Sequence, residues 1–232
     1  VGDGDELWEQ PKLRFIKKAH YDVFEVIKKF HYHNRLIVIY GNHNMYLKYP
    51  EYVEKYYYTY YNEYREQHYD FLKDLKPVEA IVLKHKETQQ EIVALHGHQG
   101  DFANDQIWML TMLSVRYFWR YMHSFGVKNP ASPVKNAHKR HKIEKNYNKW
   151  INENKKMLIC GHTHRFKFPR NGELPYFNTG SCIYPTTITG IEILNDMVQV
   201  IRWKIRPNRE GILRATREVI RGPEEIAKFD MR

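Results

Sequence analysis

The 232-residue sequence has only two cysteines, Cys160 and Cys182, and both fall in apolar, strand-like stretches. Two thiols cannot build a disulfide framework, so small disulfide-stapled folds are excluded and a reducing, cytoplasmic setting is favoured. No uncharged apolar run approaches the roughly 20 residues that span a bilayer. The opening Val1-Gly2-Asp3-Gly4-Asp5 has neither the basic nor the apolar region of a secretory signal. Acidic residues are the minority: 27 Asp and Glu face 37 Lys and Arg, a formal net charge of +10. That excess suits phosphate-bearing ligands, acidic lipid surfaces or nucleic acid, without choosing among them. Internal repeats and low-complexity tracts are absent. With 42% apolar and 28% charged residues, disorder and collagen-like structure are excluded. The length fits one domain with an insertion.

Periodicity places the elements. Ile16, Ala19, Val23, Ile27 and Phe30 recur at three- and four-residue steps with lysines between them, which predicts an amphipathic helix over 11–31. Leu36–Tyr40 is short, apolar and β-branched and stops at Gly41, the pattern of a strand covered on both faces. The tyrosine-crowded stretch 45–75 reads as helix after Pro50. Residues 80–83 and 92–95 flank a charged turn as a hairpin. Over 102–155 the pattern is helical again, apolar over 107–125 and basic over 135–156, with a break at Gly126, Pro130 and Pro133. Met157–Cys160 is a buried strand. A strand over 176–182 follows, and then 190–194 and 197–205 form a tight hairpin at Asn195-Asp196. Beyond Pro207 the charged tail gives no clear element.

The chemistry lies where strands end. Val1 leads into Gly2-Asp3, Leu36–Tyr40 into Gly41-Asn42-His43-Asn44, the strand before His96 into His96-Gly97-His98, and Met157–Cys160 into Gly161-His162-Thr163-His164. Loops at the carboxyl ends of strands are where ligands bind in sheets packed with helices. Each motif alone is weak: a His-x-His pair is commonly a solvated turn, and an Asn-His after a strand commonly a cap. Four together point to a catalytic metal site. A mixed Asp, Asn and His set, with no thiolate and no all-oxygen cage, suits first-row divalent ions such as Mn, Fe, Co, Ni or Zn.

The ordered set Gly-Asp, Gly-Asn-His, His-Gly and Gly-His-Thr-His resembles the calcineurin-like metallophosphoesterase superfamily over nearly the whole chain. Gly2-Asp3-Gly4-Asp5-Glu6-Leu7-Trp8 is similar to the corresponding stretch of UDP-2,3-diacylglucosamine hydrolases. Asn178-Thr179-Gly180-Ser181 is similar to the superfamily's strand after Gly-His-x-His. The resemblance implies an α/β fold, a four-layer α-β-β-α sandwich, as a single domain over 1–232 with a helical insertion at about 102–155. It also implies two divalent metal ions (Mn, Fe, Zn or Ni). Asp3 would bridge them, Asn42, His96 and His162 would complete one site, and His164 would reach the other. The implied activity is hydrolysis of a phosphate ester or pyrophosphate by a hydroxide held between the metals, with His43 facing the substrate phosphate as donor or acid.

This sequence departs from the superfamily in two places. No Asp-x-His motif precedes Asp3, so the first metal keeps only Asp3 and His164, and the chain reads as incomplete at its N-terminus. Asn44 stands where the superfamily has a carboxylate that orients the histidine, which predicts a less favourable imidazolium at His43. Asp5 competes with Asp3 as the bridging residue, but the spacing to Glu6 and Trp8 favours Asp3. His98 is expected beside the site rather than in it, and Arg165 as a surface charge. The resemblance implies a phosphate-containing small molecule or nucleotide-linked lipid as substrate. Trp108, Phe118 and Trp119 of the insertion would line an acyl groove, against ordinary core or a dimer contact as the plainer reading. Lys139, Arg140, Lys142, Lys145 and Lys149 suit a solvated face or peripheral membrane contact. Two other functions fit the sequence: a non-catalytic metal- or anion-binding member of the fold, and, ranked last, nucleic-acid binding through the basic helix.

Overall fold

The computed structural model describes residues 1–62, 65–126 and 136–231. Tyr64 of the tyrosine-crowded stretch, Pro130 and Pro133 of the break, and Lys135 at the start of the basic stretch lie outside the described residues. The protein is mixed α/β with several sheets. It forms two compact units, residues 1–79 with 101–129 and residues 80–100 with 130–232. The stretch expected as one insertion is thereby divided between them.

In the first unit, the helix expected over 11–31 is two helices, Leu13–Ala19 and Tyr21–Tyr32, interrupted at His20. Leu13 and Phe24 from these helices join Leu7, Leu47, Val53, Tyr57, Phe71, Leu72 and Leu75 in one core cluster. Residues 36–40 do not form the strand buried on both faces that their composition predicts. They run extended and make one parallel bridge, Ile39 to Val78, with Ile37 63% exposed. β-Branching gives the extended backbone, but the segment has a partner along one side only among the described residues. The expected helix over 45–75 is also shorter. A 3₁₀ turn at Met45–Lys48 and a helix at Pro50–Tyr57, with proline in its first turn, lead into a hairpin of β1 (Thr59–Asn62) and β2 (Gln67–Asp70). Aromatic and β-branched side chains favour a pleated strand there, and Tyr60 stacks on Tyr69 across it.

Lys17 lies against this core, its ammonium donating to the Tyr56 carbonyl at 3.3 Å and lying 4.5 Å from the centre of the Phe71 ring. Burial pulls its pKa from 10.5 down to about 8, against the opposing pull of the Asp5 charge. Between those values the unfolded chain holds a proton that the folded chain has released, so stability rises with pH across the window. Lys17→Met is expected to flatten that rise when urea unfolding is measured from pH 8 to 10. Equal slopes in parent and variant would contradict the assignment.

From Phe102 to Ser124 the first unit is a run of short helices: Phe102–Asp105, Trp108–Leu113, a π-helical stretch Ser114–Trp119, and Arg120–Ser124. Asp101 caps the first through the Ala103 amide. Trp108 and Met112 are buried with Trp8 and Met45, while Leu110, Tyr117, Phe118, Tyr121 and Phe125 face outward. Arg116 donates to the carbonyls of Leu7 and Trp8, and Arg120 to that of Glu9, tying this run to the segment after Asp5.

The second unit is built on a four-stranded sheet in spatial order β3 (Ala80–Lys84), β4 (Glu91–Leu95), β5 (Met157–Cys160), β6 (Tyr176–Asn178). β3 and β4 are the expected antiparallel hairpin, and β4, β5 and β6 are parallel. β5 and β6 are buried throughout and β4 at its centre, as their unbroken apolar runs predict. The helix Ala137–Asn154 packs on this sheet through Ile143, Tyr147 and Ile151 at four-residue steps. Asn136 caps its start, and Lys155 ends it in a left-handed conformation. Lys142, Lys145 and Lys149 lie on its exposed side.

The second sheet of this unit is an antiparallel meander of β7 (Thr187–Leu194), β8 (Met197–Pro207) and β9 (Leu213–Glu225). The β7–β8 turn is the two-residue hairpin read from Asn195-Asp196, both with positive φ (49° and 61°), as a type I′ turn requires. β9, like β1 and β2, is a strand that the sequence pattern does not announce. Cys160 is buried in β5 as expected, but Cys182 is exposed and outside any strand. No helix among the described residues is long and apolar enough to cross a membrane.

Candidate metal centre

The first unit brings together Asp3, Asn42 and His43. Asp3 adopts φ 49° after Gly2 at 69°, a left-handed turn that non-glycine residues enter rarely. This sends its carboxylate into the Gly41-Asn42-His43 loop, where Oδ1 accepts the His43 amide at 2.8 Å. The fit depends on glycine: a Cβ on Gly41 would lie 2.1 Å from Asp3 Oδ1 and 2.8 Å from the Asp3 backbone nitrogen. Asn42 is buried beside it. Asp5 points elsewhere, accepting the Tyr57 hydroxyl at 2.8 Å, and burial raises its carboxyl pKa despite that bond.

His43 is held by the 2–8 segment. Its ring stacks on Trp8 with centroids 4.3 Å apart, and its Nδ1 lies 2.6 Å from Glu6 Oε2. The other Glu6 oxygen accepts the amides of Trp8 and Glu9, which fixes the carboxylate. Burial alone would lower the His43 pKa. The Glu6 hydrogen bond and the charges of Asp3, Glu6 and Glu9 outweigh it and raise the pKa from 6.5 to about 9. The expectation drawn from Asn44 is therefore corrected. Asn44 Oδ1 accepts the Gly41 amide at 2.7 Å and braces the loop, while Glu6 is the carboxylate that orients the histidine and favours imidazolium.

The second unit brings together His96, His98 and His162. His96 follows β4 and His162 follows β5. Because the two strands are adjacent and parallel, their carboxyl ends open on the same edge, and the Gly161 amide donates to the His96 carbonyl at 2.9 Å. The His96 and His162 rings meet edge to face with centroids 5.2 Å apart, and each offers a ring nitrogen within 4.8 Å of the other's. The His98 ring lies 5.6 Å from His96. All three are buried. His162 and His164 both have left-handed backbones, φ 61° and 55°. Strain of this kind costs about 1–3 kcal/mol per residue and concentrates at functional sites. Arg165 is exposed, as expected.

Asn178, at the end of β6, holds the Gly161-His162-Thr163 turn. Its amide group donates to the Gly161 carbonyl at 2.6 Å and lies 3.1 Å from the Thr163 hydroxyl, while its Oδ1 accepts the Gly180 amide at 2.9 Å. Two adjacent buried imidazoles on rigid strand ends fit a borderline divalent ion, for which imidazole is a preferred ligand. Sequence reasoning missed Glu6 as the partner of His43 and Tyr147 as a prop of the His96 loop. Both contacts join residues far apart in the chain, and no local spacing announces them.

No protein-family model matches the sequence, and no curated protein matches it. Among solved structures, Vps29 of Chaetomium thermophilum is similar over 62% of this chain and 59% of its own, at 12% identity and a TM-score of 0.29. The chain thus spans about three fifths of that neighbour's length, a likeness too slight to carry fold or function.

Proposed function

We propose that the protein is a metal-dependent phosphoesterase built on the four-layer α-β-β-α sandwich of the calcineurin-like metallophosphoesterases. The observation that carries this reading is the buried His96–His162 pair at the ends of adjacent parallel strands, with ring nitrogens within 4.8 Å. In this reading Asp3 and Asn42 supply further ligands and His164 a ligand of a second ion, as the sequence motifs imply. Divalent ions bound there supply an activated water and offset charge on the phosphoryl oxygens.

The rest of the chemistry belongs to the chain. Glu6 fixes Nδ1 of His43 and Trp8 fixes the plane of its ring. Nε2 is left as the donor to a phosphoryl oxygen, or as the acid that protonates the departing oxygen. Phosphodiesters and pyrophosphates are the favoured substrates, including nucleotide-linked lipids. The outward aromatic side of 102–125, with Phe118 and Tyr121, suits an acyl chain, and the exposed lysines of 137–154 suit the surface of an acidic membrane.

The test is hydrolysis of bis-p-nitrophenyl phosphate by the Mn(II)-loaded chain and its His43→Ala variant. The parent is expected to turn over, and the variant to lose about 10²–10³-fold in kcat, the range for removing a positioned acid or donor. Saturable Mn(II) binding without turnover in the parent would favour the non-catalytic binding reading.

A further inference from the structure

We propose that Tyr147 is a positioning residue that holds the His96 loop in its metal-binding shape, an inference that rests on the metal-centre reading above. Tyr147 lies on the Ala137–Asn154 helix, 50 positions from the loop it touches. Its hydroxyl donates to the carbonyl of Gly97, the residue between His96 and His98, at 2.5 Å. The same carbonyl accepts the Gly100 amide at 3.2 Å, closing the loop on itself.

The loop is shaped around this ring. A Cβ on Gly97, whose φ is +105°, would lie 2.6 Å from the Tyr147 hydroxyl oxygen, and one on Gly100 would lie 2.7 Å from its ring. Gly97 therefore serves two needs, a backbone conformation that side chains disfavour and the close approach of the tyrosine. The neighbouring Asn146 donates its side-chain amide to the Gly100 carbonyl at 3.0 Å, a second tie from the same helix.

The ring is also linked to the Gly161-His162 turn through Tyr176 and Asn178. Tyr147 packs on Tyr176 with centroids 5.2 Å apart. The Tyr176 hydroxyl lies 3.0 Å from the Asn178 amide nitrogen, which donates to the Gly161 carbonyl beside His162. One buried aromatic thus braces the loops of both histidines. Groups that orient metal ligands from behind shift metal affinity about 10–100-fold when removed. A core tyrosine that only fills space predicts something else, because phenylalanine keeps the ring and the packing.

The test is calorimetric titration of Mn(II) into the chelator-treated full chain, with Tyr147→Phe and Asn146→Ala, alongside urea unfolding of each metal-free protein. Tyr147→Phe is expected to raise the Mn(II) Kd about tenfold, and Asn146→Ala, at an exposed position, about threefold. A lower unfolding midpoint for Tyr147→Phe with an unchanged Mn(II) Kd would make Tyr147 a packing residue and overturn the inference. Should Tyr147→Phe fail to fold, an unchanged Kd in Asn146→Ala overturns it equally. A parent without saturable Mn(II) binding defeats the metal-centre reading, and this inference with it.

Discussion

Replacing His162 by alanine is expected to abolish saturable Mn(II) binding and to reduce phosphodiester hydrolysis by at least about a thousandfold, while leaving the fold intact. His162 is buried against His96 and is one of two imidazoles on which the proposed centre is built. Removing one ligand from such a set eliminates most of the charge stabilisation that metal-assisted hydrolysis depends on. The fold should tolerate the change because histidine already places a Cβ in the left-handed backbone at φ 61°, so alanine adds no new steric conflict. The turn is also held independently by Asn178 through the Gly161 carbonyl. Equilibrium urea unfolding of the metal-free variant checks this half of the expectation, and Mn(II)-dependent turnover checks the other. A variant that hydrolyses at the parent's rate would remove His162 from the mechanism.

The second large effect is expected at Gly41. A Cβ there meets the carboxylate and the backbone nitrogen of Asp3 at 2.1 and 2.8 Å, so Gly41→Ala must push the Asp3 turn away from the loop. The variant loses the Asp3–His43 amide hydrogen bond as well as gaining the clash, and together these should destabilise the protein by about 3 kcal/mol. Metal affinity should fall with it, since Asp3 is the proposed bridging ligand. Gly4→Ala is the contrast: nothing lies within 4 Å of a Cβ at Gly4, and its stability should stay within about 0.5 kcal/mol of the parent. Equal unfolding free energies for the two variants would show that the 2–4 segment is not seated against Gly41.

The turns at these two positions were legible in the sequence for a simple reason. Glycine followed by a polar residue at the end of an apolar run marks an extended segment giving way to a tight turn, and that signal is local. The β3–β4 hairpin, β5 with its four buried residues, and the Asn195-Asp196 turn were visible on the same terms. What escaped depends on partners distant in the chain. Residues 36–40 have a strand's composition, but a sheet needs neighbours, and among the described residues Ile39 bridges only Val78. Residues 59–70 look helical because tyrosine and glutamate crowd together, yet cross-strand contacts such as Tyr60 on Tyr69 decide for the hairpin. β9 has mostly exposed positions with arginine and glutamate among them, which erases the alternation that would betray it. The role of Glu6 was hidden too, because its place beside His43 is set by the seating of 2–8 on the Gly41-Asn42-His43 loop rather than by sequence spacing.

The central claim is that His96 and His162 hold a divalent ion together. It is tested most directly by adding substoichiometric Mn(II) to the chelator-treated protein and following its imidazole resonances by NMR, since bound Mn(II) broadens nearby nuclei. The signals of His96 and His162 should broaden first and in step, while those of His20 and His33, exposed at helix ends, stay sharp at the same ratio. Broadening that spares His96 and His162, or that begins at the exposed histidines, would contradict the claim.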